Sequence, residues 1–119
     1  MDGSWTVGAR LERFSEPVIL ATLRRGRAHG YELADSLRPW IPEDRIDLGN
    51  LYRMLRSMED DGIVRSHWSQ DDPGRAKRMY ELTDDGEQLL DAWLDSLRAA
   101  GDTIGAFLRE CGEGKEGTE

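Results

Sequence analysis

Apolar residues recur along the chain in short blocks at helical spacing, each closed by a breaker. Ser15, Glu16 and Pro17 open the first block, with Pro17 in a first turn where its missing N–H is harmless. Val18, Ile19, Leu20 and Leu23 then fill a mostly buried helix that Gly26 can end. In HGYELADSLRPW, Leu33, Ala34 and Leu37 share one face of a second helix before Pro39 stops it. After the turn signal Ile41-Pro42-Glu43-Asp44, Asp47 can cap a third helix. Its apolar positions Leu51, Met54, Leu55 and Met58 follow the i, i+3, i+4, i+7 rule, and Gly62 ends it.

The pattern then changes. IVRSHW and KRMYEL are short runs with β-branched and aromatic residues, separated by SQDDPGRA, whose Asp-Asp-Pro-Gly is strong turn chemistry. They predict a β-hairpin with a polar tip. Thr83 caps a last helix with Asp84 and Asp85 in its first turn, and the helix is expected to run to about Cys111. In that helix Gly86, Leu90, Trp93, Leu97, Ala100, Ile104, Phe107 and Cys111 alternate spacings of four and three, a heptad seam that wants a partner helix. Leaving its large side chains in water costs roughly 1.5 to 3 kcal/mol each. Dimerisation through Leu90, Trp93, Leu97, Ala100, Ile104 and Phe107 is one reading, and packing back on the chain's own domain is the other. Gly101 and Gly105, each about 1 kcal/mol worse than Ala in a helix, permit close approach or mark a bend.

The expected fold is therefore mainly α with a small β-hairpin (α+β): a winged helix-turn-helix with a long C-terminal helix. Residues 1–14 form an arm, 15–83 the winged domain, 84–111 the dimerisation helix and 112–119 a disordered tail.

Composition adds a constraint. The 119 residues carry a formal net charge of -8, which opposes binding to a polyanion. The distribution removes the objection: residues 1–80 hold 13 Lys+Arg and 13 Asp+Glu, and residues 81–119 hold 3 basic against 11 acidic. Charge acts locally, within a Debye length of about 8 Å, so a neutral domain with clustered arginines can bind DNA while an acidic end faces away. No apolar run approaches the roughly 20 residues of a membrane span, and no signal peptide is evident, so the expectation is a cytoplasmic protein without membrane contact. One cysteine, Cys111, and two histidines, His29 and His67, offer no disulfide and no metal site. Acidic surroundings argue against a redox role for Cys111. No nucleophile, base and orienting group recur at a plausible spacing and there is no phosphate-binding glycine loop, so neither catalysis nor a cofactor is expected.

Three blocks carry a resemblance: HGYEL (29–33), GNLYRMLRSMEDDGIV (49–64) and GRAKRMYELTDDG (74–86). In order and spacing they resemble the signature blocks of the PadR family of bacterial transcriptional regulators, over roughly residues 14 to 100. The single C-terminal helix resembles the compact subfamily, and DAWLDSLRAAGDTIGAFL is similar to polyhydroxybutyrate-responsive repressors. The resemblance implies a homodimer that reads a roughly palindromic double-stranded DNA operator, usually as a repressor, often released by a small hydrophobic or aromatic effector. The chain departs from the family at Asp47-Leu48, where Ser-Pro is common, at Asn50, where a small hydroxyl residue is common, and at Arg53, where Pro is frequent. Base preference therefore does not transfer.

With the core positions of the third helix turned inward, Asn50, Arg53, Arg56 and Ser57 face out, as a solvated surface or as a DNA-reading one. Asn50 and Arg53 are the base-contact candidates, since Asn pairs bidentately with adenine and Arg with guanine. Tyr52 lies between the two faces, to contact phosphate or to pack. Past the Pro-Gly turn, Arg75, Lys77 and Arg78 can reach the DNA backbone or minor groove. At the start of the second helix, His29 and Tyr31 meet phosphate, or His29 caps and Tyr31 packs. Trp93, Leu97 and Phe107 line an effector pocket between subunits or form interface core. Trp40 and Trp68 are expected to fill gaps around the domain, and Trp5 has no assigned role. The competing function is a winged-helix protein-interaction module without sequence-specific DNA binding.

Overall fold

A computed structural model describes residues 7, 9, 13–72 and 75–116, with side chains at 7, 9, 13–69 and 77–112. The elements are α1 (Ser15–Arg25), β1 (Ala28–His29), α2 (Gly30–Leu37), a 3-10 turn (Glu43–Arg45), α3 (Leu48–Asp60), β2 (Val64–Asp72), β3 (Arg75–Leu82) and α4 (Asp84–Glu116). Four helices and a small antiparallel sheet make a winged helix-turn-helix with a long C-terminal helix.

Local chemistry sets the boundaries of α3. The Asp47 carboxylate accepts from the backbone N–H of Gly49 at 2.8 Å and of Asn50 at 3.4 Å, which satisfies donors left over at the helix start. At the other end Gly62 adopts φ +77°, and the N–H groups of Gly62 and Ile63 return to the carbonyls of Glu59 and Met58. This is a Schellman ending, which favours glycine because an L side chain strains at that φ. Between the caps Leu51, Leu55 and Met58 are buried. They join Ile19 and Leu20 of α1, Leu33 of α2, and Val64 and Tyr80 of the hairpin in one core, and no polar or charged residue is buried among the described residues.

The sheet has three strands in the order β1-β3-β2. Sequence patterning missed β1 because two residues carry no periodicity. Ala28 pairs with Tyr80 and His29 with Met79, which brings the start of α2 beside the wing. The hairpin ladder reaches Asp72↔Arg75 across an irregularity between Ser69 and Asp72. The strands thus run into the tip expected to be loop; Pro73 and Gly74 lie outside the described residues.

The seam of α4 divides. Gly86 and Leu90 are buried in the chain's own core and Trp93 packs against it, so Leu90 is corrected from partner contact to intrachain core. Trp93 donates its indole N–H to Glu16 at 2.7 Å, with the Arg13 guanidinium 5.7 Å from its ring centroid. Arg24 of α1 ties the same stretch by binding Glu87 at 2.7 Å and Asp91 at 2.8 Å. The reason is length: eleven residues of α1 span about 16 Å, while 33 of α4 span about 50 Å, so α1 covers only the first turns. Beyond them the helix projects, giving a radius of gyration of 18.9 Å where a compact domain of this length has about 13 to 14 Å. Ile104, Phe107 and Leu108 are 48%, 64% and 60% exposed on the projecting part.

The helix continues past Cys111 to Glu116, into the stretch expected to be tail, because propagation of an established helix tolerates glycines at about 1 kcal/mol each; residues 117–119 lie outside the described residues. Trp40 and Trp68 are 62% and 59% exposed and fill no gap. Trp40 instead meets Phe14 edge-on at 6.3 Å. Trp5 and most of the proposed arm lie outside the described residues. No described helix is long and apolar enough to cross a membrane.

Candidate nucleic-acid interface

Hydrophobic packing of α3 on one side leaves Tyr52, Arg53 and Arg56 exposed on the other. Tyr52 leans back on α2: a Cβ added at Gly30 would stand 2.4 Å from its hydroxyl oxygen and 2.8 Å from its ring. Gly30 is therefore what lets α3 and the start of α2 meet, and Tyr52 both packs and keeps an exposed edge.

Between this face and the wing runs an open groove of about 740 Å³, lined among others by Tyr31, Tyr52, Arg56, Trp68, Lys77 and Arg78. The structure thus gathers one cation of the third helix, two of the wing and three tyrosines, Tyr80 among them, around one concave surface. Glu59 and Asp60 line it too, at the C-terminal end of α3, so its charge is graded along the helix.

Wing and helix are tied together through Ser66, which sequence reasoning did not single out. The Ser66 hydroxyl lies 2.8 Å from both Glu59 carboxylate oxygens and accepts from Arg78 Nε at 2.9 Å. The Arg78 guanidinium carbon lies 5.2 Å from the centroid of the Trp68 ring, a cation-π contact. Pairing of Ser66 with Tyr80 and of Trp68 with Arg78 puts these side chains on one face of the hairpin. The alternation Val64, Ser66, Trp68 was the signal that could have found them.

His29 is the N-cap of α2; the Glu32 carboxylate accepts its backbone N–H at 3.0 Å and lies 3.3 Å from Nε2, so the ring faces its own cap. Tyr31 is 67% exposed and does not pack. Ser57 is set apart: with Glu16, Asp61 and Leu89 it lines a second cavity of about 410 Å³ on the opposite flank of α3. Ser57 is exposed, as the sequence reading has it, but it opens on this cavity and not on the groove that Arg56 lines. Arg75 pairs with Asp72 through its backbone, and its side chain lies outside the described residues. Trp93 and Phe107 are 14 positions apart, about 21 Å along a straight helix, so one subunit does not bring them into a single pocket.

On the outer face of the hairpin, Arg65 donates to Glu81 at 2.8 Å and holds that carboxyl below its ordinary range. A depressed folded-state pKa contributes stability above the unfolded value and loses it as pH falls through the folded one. Arg65→Ala is expected to return the Glu81 titration toward ordinary glutamate values and to weaken the acid dependence of unfolding. An NMR pH titration of Glu81 checks this, and an unmoved midpoint contradicts it.

A capped helix with a cationic N-terminal half, tied across a groove to a basic hairpin, is the geometry of a DNA-reading winged helix, and the model of the transcriptional regulator PadR-like family matches residues 19–92. The chain belongs to the PadR-like family of transcriptional regulators. That match spans α1 through the first turns of α4, so the projecting helix lies outside it.

Solved structures agree with this membership. A PadR family transcriptional regulator from Eggerthella lenta is 29% identical, with a TM-score of 0.66 over 78% of this chain and 80% of that one. Bacillus subtilis PadR, solved in complex with operator DNA, is 26% identical with a TM-score of 0.61; the match covers 71% of this chain but only 48% of that longer one. A PadR family regulator from Clostridium difficile shares the fold, with a TM-score of 0.71 at 24% identity over 80% and 98% of the two chains. No curated protein matches the chain.

Proposed function

We propose that this PadR-family regulator is a homodimeric repressor that binds a palindromic DNA operator, one α3 per half-site in the major groove and the wing on adjacent backbone. The observation that carries the reading is the groove, where Arg56 of α3 faces Lys77 and Arg78 of the wing. Two elements joined in this way can hold one duplex from two sides. The DNA complex of Bacillus subtilis PadR supports it by relationship.

Leu97, Ala100, Ile104 and Phe107 on the projecting part of α4 are the proposed subunit contacts, with Trp93 at their edge. An effector entering between subunits would be small and apolar, would meet Leu97 and Phe107 first, and would act by changing the angle between the two long helices. The half-sites would then leave register with successive major grooves about 34 to 36 Å apart.

Selection of fragments bound by the full chain from random duplex DNA, repeated at several salt concentrations, tests the reading. The expected product is a two-fold symmetric site whose affinity falls linearly on a logarithmic salt scale, the slope counting phosphate contacts. A selection that returns no preferred sequence overturns it and favours a protein-interaction module.

A further inference from the structure

Three side chains at the start of α3 are joined in series. Asp47, the N-cap, uses Oδ1 for the backbone N–H groups of Gly49 and Asn50, and its other oxygen, Oδ2, accepts from Asn50 Nδ2 at 3.3 Å. Asn50 Oδ1 in turn accepts from Arg53 Nη2. Gly49 forms the floor beneath them: a Cβ there would stand 3.2 Å from Asp47 Oδ1 and 3.8 Å from Arg53 Nη1. The guanidinium is therefore folded back over the first turn, toward the end of the helix that meets base edges in a helix-turn-helix.

We infer that Arg53 is the base reader of this helix, and that Asn50 and Asp47 are positioning residues that aim it rather than independent readers. The inference rests on the proposal that α3 reads DNA. Two hydrogen-bond inventories decide between the residues. A guanidinium carries five N–H donors in a fixed fork, so Arg53 can give one Nη2 hydrogen to Asn50 and still present a parallel pair, the other Nη2 hydrogen with that of Nε or Nη1, to the O6 and N7 acceptors of guanine. The Asn50 carboxamide is held at both ends by its own helix, the amino group by Asp47 and the oxygen by Arg53, which sets its plane. Turning it onto an adenine edge requires both ends at once. That would turn the carboxamide out of the plane set by Asp47 and Arg53 and loosen its hold on Arg53. The departures from the family pattern at 47, 50 and 53 thus act together as one unit with a preference for guanine.

The test measures affinities of the full chain for operators carrying each single base-pair substitution. It compares wild type with Arg53→Ala, Asn50→Ala, the double variant and Asp47→Ser. Serine can still cap the helix but has no second oxygen to hold Asn50. Circular dichroism and thermal unfolding confirm that each variant folds. The expected wild-type result is a guanine preference of about 5- to 150-fold at one position per half-site, which Arg53→Ala abolishes. Asn50→Ala and Asp47→Ser should weaken the preference at that same position and create no loss elsewhere, and the double variant should lose no more there than Arg53→Ala alone. An adenine preference at a second position that vanishes with Asn50→Ala, the guanine preference being intact, overturns the assignment while leaving operator binding standing. A wild-type chain with no base preference anywhere overturns operator reading and this assignment with it.

Discussion

Phe107→Glu is expected to leave the chain folded and to lower its affinity for a two-half-site operator by about 10²- to 10⁴-fold, the advantage that linking two binding units confers. Phe107 is 64% exposed in the isolated chain and adds nothing to its core, and glutamate is a good helix former. The substitution therefore acts on what the projecting helix meets, not on the domain. In a dimer built on the seam it removes one buried aromatic side chain per subunit, each contributing roughly 1.5 to 3 kcal/mol, and adds a charge to an apolar contact. Sedimentation should show a monomer. On DNA carrying a single half-site the variant should bind as tightly as wild type counted per recognition helix. A variant that remains dimeric, with unchanged operator affinity, would place the subunit contact elsewhere on the molecule.

Gly86→Ala is expected to destabilise the protein, against the usual sign for glycine in a helix. In a solvated helix the exchange gains about 1 kcal/mol. Here the new Cβ would stand 2.3 Å from the Ile63 carbonyl oxygen and 2.5 Å from a Leu82 methyl carbon. That oxygen cannot step aside, because the Thr83 backbone N–H binds it at 3.1 Å and the Thr83 hydroxyl at 2.9 Å. Overpacking of this kind costs about 1 to 3 kcal/mol, more where the obstacle is backbone, so the net effect is a fall in melting temperature of several degrees. Gly101 has no neighbouring atom within 4 Å of its added Cβ in the chain and serves as the control. Thermal unfolding of Gly86→Ala checks the argument; a raised melting temperature would mean that α4 does not seat on Ile63 as described.

The two substitutions lie on one heptad seam and owe their different effects to what faces each position. Spacing along a helix says which residues share a side, and it grouped Gly86, Leu90, Trp93 and Phe107. It does not say what lies opposite. Only the length of α1 against that of α4 decides where the chain's own domain stops covering the seam, so Leu90 became core while Phe107 stayed exposed. The same limit applies to Ser57, which is exposed as its spacing predicts but opens on a cavity away from the wing. A second surface, from α1 and α4, approaches that flank of the helix, and no local pattern encodes it.

What the amino-acid order determined by itself was everything that depends on near neighbours. The Asp47 cap, the Gly62 ending, the apolar stripe of α3, the hairpin and the helix-forming run after Thr83 all follow from interactions within a few residues, and together they specify the winged-helix order. The tertiary structure decided what depends on approach between distant segments. The two-residue strand β1 exists only because β3 is there to pair with it. Tyr52 reaches α2 only because Gly30 has no side chain, and the wing is aimed by a Glu59–Ser66–Arg78 tie that spans α3, β2 and β3. The base-reading question lies between these levels. Asp47, Asn50 and Arg53 were visible in the sequence as a cap and two candidate readers, but hydrogen-bond geometry was needed to join them, because spacing of three along a helix permits contact without specifying which atoms are spent in it.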